Sequence, residues 1–243
     1  MGAAASTPPA TTGNLLLDGL PIDERQYLQP KLRRIDLAKE QVLSVQGEPV
    51  KNVYFPLSGL ISCRASGSDG ETIEIYSIGR EGIADPAAVL TGIASVTTEV
   101  QIPGSAYGIA VGDLCEAIRH TTELQHVLLK FAYSLAVRMV QAVKCARFHS
   151  IEEHLILWLL QAYRAHGRII PCTHEAIAEA LGTRRATVTS ILNKLLQRGV
   201  IEHSRGRITI ANRPELQDSA CECFELIKAG LEVDLACEFQ NPS

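Results

Sequence analysis

A chain of 243 residues, 46% hydrophobic and 21% charged, has the make-up of one large or two small globular domains, which excludes global disorder. With 23 Lys+Arg against 27 Asp+Glu the net charge is −4, which excludes a histone-like, uniformly basic protein. No apolar run approaches the ~18 residues of a membrane span, the first residues lack a secretory signal, and seven scattered cysteines do not make a disulfide scaffold, so a reducing cytoplasm is the expected setting.

Residues 1–13, MGAAASTPPATTG, read as a disordered tail. Gly2 and Ser6 fit the short myristoylation pattern, which Ala-rich starts meet by chance. From Leu15 to Gly112 the texture is β, with a helical start, Pro21–Leu28, ahead of the strands. Its short apolar runs are Gln41–Val45, Val53–Pro56, Gly59–Ala65, Thr72–Ile78, Thr97–Ile102 and Ala106–Val111. Ser68-Asp69-Gly70 is a tight-hairpin signal. Strands spaced about 8–12 residues apart with little helix between them predict a sandwich, barrel or roll.

From Gly112 the texture changes. No Gly or Pro occurs between Asp113 and His166. Leu124, Val127, Leu128, Phe131, Leu135 and Met139 recur at helical steps and predict an amphipathic helix. At roughly 25–30 residues, about 40 Å, it exceeds what one small domain needs to cover its core, and this stripe is read as a dimerisation face. A second helix, Ile151–His166, carries Leu155, Ile156, Trp158, Leu159, Leu160 and Tyr163 and is ended by Gly167.

Charge is concentrated in residues 144–213, which hold eleven basic and five acidic residues, a net +6, and leave −10 on the rest of the chain. An acidic body carrying a basic module points to a polyanion partner for that module. Within it, residues 173–199 read as two short helices joined by a glycine turn, a helix-turn-helix. Thr173 is an N-cap, Gly182 breaks the first helix and Thr183 can cap the second. Val188, Ile191, Leu192 and Leu195 face inward, leaving Arg184, Arg185, Thr187, Ser190, Asn193 and Lys194 outward. Arginines and hydroxyls at the start of the second helix suit base edges in a major groove. Ile201–Ile210 alternates like a hairpin with Arg205-Gly206-Arg207 at its tip, a wing for phosphate contacts. The assigned DNA contacts are Arg184, Arg185, Thr187 and Ser190 on bases, with Thr173, Thr183, Lys194, Arg205 and Arg207 beside them.

The chain resembles the Crp/Fnr superfamily of bacterial transcription regulators over roughly residues 14–235. The resemblance rests on Val53-Tyr54-Phe55-Pro56-Leu57-Ser58-Gly59, Ile78-Gly79-Arg80-Glu81-Gly82, Cys145-Ala146-Arg147-Phe148-His149-Ser150-Ile151-Glu152-Glu153, Leu157-Trp158-Leu159-Leu160, the helix-turn-helix and Cys221-Glu222-Cys223-Phe224. It implies an α+β fold: a cyclic-nucleotide-binding-like β-roll over 14–112, a dimerisation helix and hinge over 113–148, a winged helix-turn-helix over 149–211, and a C-terminal helix and tail over 212–243. It also implies a homodimer on a near-palindromic double-stranded DNA operator, RNA polymerase as a further partner, no membrane and no cofactor.

Departures from the family narrow this. Members that bind cyclic AMP carry a Gly-Glu pair and an arginine that neutralises the phosphate. Here Ala84-Asp85 replaces the pair, and no arginine stands near Thr97 and Thr98. A buried phosphate without a cation is costly, so cyclic AMP is not expected. An unassigned effector would meet Arg80, Asp85, Thr97 and Thr98. The alternative is a small-ligand or redox sensor whose β-roll effector switches DNA binding. The N-terminal cysteine cluster of oxygen-sensing members is missing, since residues 1–62 contain no cysteine. In the recognition helix Arg185 matches the family's first arginine, but Ala186 and Ser190 stand where a glutamate and a further arginine read the usual target. Cys221 and Cys223, placed in a helix over Pro214–Gly230, would point about 200° apart and fail to chelate together without Cys145 or Cys237; inert buried thiols are the preferred reading, and no metal ligand is assigned. His149 and His154 fall on different helix faces. No nucleophile elbow, HExxH, phosphate loop or GxGxxG is present, so no catalytic residue is assigned and the chain is not expected to be an enzyme.

Overall fold

The computed structural model describes residues 11–67 and 72–228. Two short helices, α1 (Leu15–Asp18) and α2 (Ile22–Leu28), lead into the strands β1 (Arg33–Leu37), β2 (Val42–Ser44), β3 (Asn52–Ser66) and β4 (Thr72–Ile78). A short α3 (Ala88–Thr91) precedes β5 (Thr97–Ala110). The sheet order is β1-β5-β3-β4, with β2 also on β5, and every pairing is antiparallel. Next come three helices, α4 (Val111–His120), α5 (Thr122–Phe148) and α6 (Ile151–His166). The C-terminal module is β6 (Ile169–Ile170), α7 (His174–Ala180), α8 (Arg185–Gln197), β7 (Ile201–Ser204), β8 (Arg207–Ile210) and α9 (Arg213–Asp218). This is the α+β plan of β-roll, long helix and winged helix-turn-helix. No helix among the described residues is long and apolar enough to cross a membrane.

The β-roll is built from fewer, longer strands than the apolar runs imply. Val53–Pro56 and Gly59–Ala65 fuse into β3, and Thr97–Ile102 and Ala106–Val111 fuse into β5, with register shifts at Pro56, Ser58 and Leu60. Gly59 and Gly104 are not turns but the facing points of these bends. A Cβ on Gly59 would lie 2.5 Å from the Ile102 carbonyl oxygen, and one on Gly104 2.2 Å from that of Ser58. The expected hairpin tip at 68–70 lies outside the described residues; β3 and β4 pair up to its edge, Ser66 opposite Thr72. The Thr12 and Gly13 backbone N–H groups both donate to the Asp18 carboxylate, and residues 1–10 of the expected tail, with Gly2 and Ser6, lie outside the described residues.

Two large apolar cores meet in the chain, and a smaller cluster of Leu37, Ile61, Ala84, Val100 and Ala106 lies within the roll. The β-roll core gathers Phe55, Ile78, Ile83, Ile109 and Leu114 with Leu124, Phe131 and Leu135 of α5. The second core gathers α6, α7, α8, α9 and the wing, around Leu155, Leu159, Ile177, Val188, Leu195, Ile208 and Leu216. Between them runs Gly79-Arg80-Glu81-Gly82. A Cβ on Gly82 would stand 2.5 Å from the Phe131 ring of α5, and one on Gly79 would stand 2.6 Å from Ala165 Cβ of α6. Asn14 fastens the loop from below, its Nδ2 donating to the carbonyls of Gly82 (2.9 Å) and Pro56 (2.8 Å).

The amphipathic stripe predicted for α5 belongs to this core, which corrects its reading as a dimer face. Leu124, Phe131 and Leu135 are buried within the chain, and Val127, Leu128 and Met139 pack against the same cluster. A 3.6-residue period shows that one face is buried but not against what. The partnerless apolar face is the opposite one: Leu129, Tyr133, Val140 and Val143 are 61%, 63%, 64% and 71% exposed.

The loop contact yields a test. Gly82→Ala should lower stability by about 1–3 kcal/mol through overpacking against Phe131. Gly112→Ala is the control. Gly112 lies in α4 with nothing within 4 Å of its Cβ position, and this change should leave the urea midpoint equal or higher.

Candidate nucleic-acid interface

The DNA-binding module starts at a break. After α5 ends at Phe148, Ser150 restarts the chain as α6 through a capping box. Its hydroxyl accepts from the Glu153 N–H, and the Glu153 carboxylate accepts from the Ser150 N–H at 2.7 Å. Helix α6 then offers Leu155, Trp158, Leu159, Ala162 and Ala165 to the second core and serves as the floor for α8 and α9.

Helix α7 begins at Thr173, whose hydroxyl accepts from the Ala176 N–H at 3.2 Å. The chain leaves α7 through Gly182, at a φ of 60° that favours glycine. Thr183 is not the cap of the next helix: its N–H donates to the Ala178 carbonyl, and the N-cap is Arg184, without a side-chain cap bond. The Thr183 backbone thus belongs to the turn that closes α7, and α8 starts at Arg185. Val188, Ile191, Leu192 and Leu195 are buried as predicted.

The assigned contact residues fall into three sets. Arg184, Arg185 and Ser190 are set along α8 with Thr187, the two arginines and Ser190 exposed and Thr187 half-buried. Arg205 and Arg207 are exposed at the wing tip, either side of Gly206. The Thr173 hydroxyl caps α7, Thr183 is held through its backbone, and the Lys194 ammonium lies 3.0 Å from the Glu152 carboxylate at the start of α6. Sorting the other basic residues of the module sharpens the surface. Arg168 donates to the Ile210 carbonyl, Arg198 pairs with Glu215, Arg213 covers the Tyr163 ring and Lys144 pairs with Glu222. Among the described residues, Arg184, Arg205 and Arg207 form no ion pair, while Arg185 has only a loose one, 3.8 Å from Glu175.

A histidine pair that sequence spacing does not announce locks this surface. His174 Nδ1 lies 2.8 Å from the Thr189 hydroxyl of α8, and His174 Nε2 lies 3.0 Å from Nε2 of His203 on the wing strand. The contact joins α7, α8 and β7. Its signal is indirect: His174 follows a capping threonine, and Thr189 and His203 lie far away in the chain.

Three of the four residues assigned to an effector are engaged by the fold's own polar groups. Arg80 is exposed. Asp85 is buried, accepting from the Ser95 N–H and hydroxyl at 2.9 and 2.6 Å. The Thr98 hydroxyl meets Ser44 at 2.7 Å, and that of Thr97 accepts from the Gln46 N–H. Apart from Arg80, each is spent on the fold's own polar groups. A cavity of about 250 Å³ lies elsewhere, walled by β4 and α5 on one side and α6 and α7 on the other, with Glu74, Arg138, His154 and Trp158 on its surface. Burial raises the Glu74 carboxyl above the ordinary range although Ser62, Arg64 and Gln101 support its ionised form.

A wing locked to a two-helix reading head, with unpaired arginines on both, defines a winged helix-turn-helix DNA-binding protein. Residues 153–219 match the family of the Crp-like helix-turn-helix domain. The global nitrogen regulator of Nostoc sp. is 23% identical over 71% of this chain and 82% of its own, and that of Synechococcus elongatus 25% identical over 68% and 80%. FixK2 from Bradyrhizobium japonicum shares the fold with a TM-score of 0.65 at 17% identity, covering 78% of this chain and 98% of its own. A transcriptional regulator of the crp/fnr family from Eubacterium rectale does so at 0.63 and 16% identity, over 86% and 98%. Residues 153–219 are thus a Crp-like helix-turn-helix domain, and the chain has the fold of Crp/Fnr-type DNA-binding transcription regulators.

The histidine pair has a pH signature. Burial, then the facing His203 and Arg185, push the His174 pKa below the ordinary ~6.5. As pH falls through that value an unfolded His174 takes up a proton that the folded one resists. The stability it supports is therefore full above the range and lost below it. Urea midpoints should fall between pH 7 and pH 5.5, and His174→Asn should flatten that slope; an unchanged slope would discard the pair as its origin.

Proposed function

We propose that the protein acts as a homodimer that places two copies of α8 in successive major grooves of a near-palindromic operator, about 34 Å apart. The observation that carries this is the reading surface itself, in which Arg184 and Arg185 at the start of α8 and Arg205 and Arg207 on the wing are held in one unit by Thr189, His174 and His203. Arg184, Arg185, Thr187 and Ser190 bear on bases, and Arg205 and Arg207 on phosphates. Lys194 and Thr173 lend less than their outward spacing promises, because Glu152 and the Ala176 N–H engage them. RNA polymerase is the further partner through which occupancy changes transcription.

Exposed α5 residues support the dimer. Leu129, Tyr133, Ala136, Val140 and Val143 follow alternating steps of four and three, the spacing of a two-helix seam. This face is separate from the one buried on the β-roll. Val140→Glu should therefore give a folded monomer by sedimentation, with much weakened operator binding. A variant that remains dimeric would place the interface elsewhere.

Selection from random duplex DNA with ligand-free protein at ~150 mM salt tests the reading as a whole. A two-fold-symmetric motif is expected. On that motif Arg185→Ala should cost about 1–3 kcal/mol and relax one base position. Arg207→Ala should weaken binding to every sequence and lower the salt slope by about one.

A second reading rests on the cavity between the two units. Its walls come from both β4–α5 and α6–α7, so a ligand there would tie the β-roll to the reading head. Failure to select a motif without ligand, together with a metabolite-induced rise in melting temperature, would favour this effector-gated form.

A further inference from the structure

Four metal-ligating side chains outside the DNA surface converge at the hinge between α5 and α6. The donor atoms of Cys145, His149, Cys221 and Cys223 all lie within 4.8 Å of one another. Cys145 Sγ and Cys221 Sγ are 3.7 Å apart, and Cys223 Sγ and His149 Nδ1 are 3.6 Å apart. All three thiols are buried. We propose that these residues form a Cys3His site for one zinc-class divalent cation, which ties the C-terminal end of the long helix to the C-terminal segment.

The distances carry the assignment. Tetrahedral zinc with Zn–S near 2.3 Å and Zn–N near 2.0–2.1 Å sets sulfur–sulfur edges of about 3.8 Å and sulfur–nitrogen edges of about 3.6 Å. Both measured pairs match those edges. A disulfide needs about 2.05 Å between sulfurs, and pairing two of the three thiols would strand the third. Three thiolates and an imidazole favour a borderline or soft cation over calcium or magnesium, which take oxygen donors. All four donors fit around a single ion, whereas an iron–sulfur cluster spreads its ligands over several irons.

Local structure explains the convergence and corrects the expected helix over Pro214–Gly230. Helix α9 stops at Asp218, Cys221 lies in non-helical chain, and helix resumes only at 223. The two thiols thus leave a turn, and the argument that a helix would splay them does not apply. On α5, Cys145 and the capping residue His149 sit one turn apart, and the His149 N–H donates to the Cys145 carbonyl. The His149 ring thus faces Cys223, while its backbone N–H is bonded to Cys145. The other His149 nitrogen, Nε2, lies 3.5 Å from the Glu222 carboxylate, which Lys144 holds at 2.8 Å. A metal-bound imidazole that donates its second N–H to a carboxylate is the usual way of fixing ring orientation.

The site would join residues 145–149 to 221–223 at the break that separates the long helix from the reading head. Its occupancy would then help set the angle between α5 and α6. The proposal does not rest on the DNA-binding reading, and its test uses no DNA. Full-length protein purified under reducing conditions should carry about one zinc per chain by elemental analysis, and Cys223→Ser should carry none. Because a stripped variant can unfold, the intact chain gives a second readout: Co2+ exchanged for zinc should show thiolate-to-cobalt charge transfer and the intense visible bands of tetrahedral coordination. Glu222→Gln should keep the fold and the cobalt spectrum but lose the metal about 10–100-fold more readily to a chromophoric chelator. Metal-free protein without cobalt bands, iron with stoichiometric sulfide, or zinc retained by Cys223→Ser would each overturn the assignment.

Discussion

Arg138 carries a full positive charge from α5 into the contact with the β-roll, where an unpartnered guanidinium would cost several kcal/mol. Its Nη2 donates to the Ser77 carbonyl at 2.7 Å, and its Nη1 lies 3.6 Å from the Glu81 carboxylate. Both partners flank Gly79, and Glu81 in turn accepts from the Gly79 N–H. The charge and the Gly79–Gly82 loop therefore determine each other. Bare backbone lets the loop approach Phe131 and Ala165, and that approach delivers the carboxylate to the arginine. Burying this pair adds little net stability on general grounds. Its consequence is positional: α5 meets the roll in one rotation only, and so its two apolar stripes are told apart.

Position then propagates. With α5 fixed, its far stripe is left to solvent and its C-terminal end is brought to the Ser150 capping box. Helix α6 passes the same loop at Ala165 before forming the floor of the second core. The basic residues of the module divide along this path. Those near α6 and α9 pair with carboxylates, carbonyls or a ring, whereas those at the head of α8 and on the wing are left for a partner. A net +6 over residues 144–213 thus overstates the charge offered to DNA, and an acidic remainder of −10 helps orient the reading head toward it.

The fold was legible wherever one physical signal sufficed. Helix α6, the inward positions of α8 and the wing follow from periodicity and glycine punctuation. The strands of the roll were under-joined, because Gly59 and Gly104 look like turns until the facing strand shows that they are bends without room for a side chain. The stripe of α5 was assigned to a partner because sequence shows burial and not its cause; the exposed second stripe is shorter, includes Ala136 and is weaker as a pattern. The convergence of Cys221 and Cys223 with Cys145 and His149 was hidden by assuming one uninterrupted helix. Asp85 and Thr98 were offered to a ligand, although Ser95 and Ser44 already satisfy them. The basic reading head was visible in outline, but the separation of free from engaged side chains needed the tertiary contacts.

These features bound how a change in the roll can reach the recognition helix. One route is the loop, where Gly79 touches Ala165 of α6 directly. A second is the direct packing of β3 on α6, where Leu60 and Ile102 join the α6 core, and a third is the far end of α5, where residues 145–149 meet 221–223. The buried face of α6 also carries α8. Packed cores shift between discrete arrangements rather than deforming smoothly. A displacement of α6 relative to α5 would therefore carry α7, α8 and the wing as one body, since the His174 contact holds them together. The exposed stripe proposed as the dimer seam lies on the opposite face of α5 from the loop contact. In the proposed dimer the two α5 helices would stay fixed to each other while the reading heads turn, which is the geometry needed to bring two recognition helices into or out of register with successive grooves.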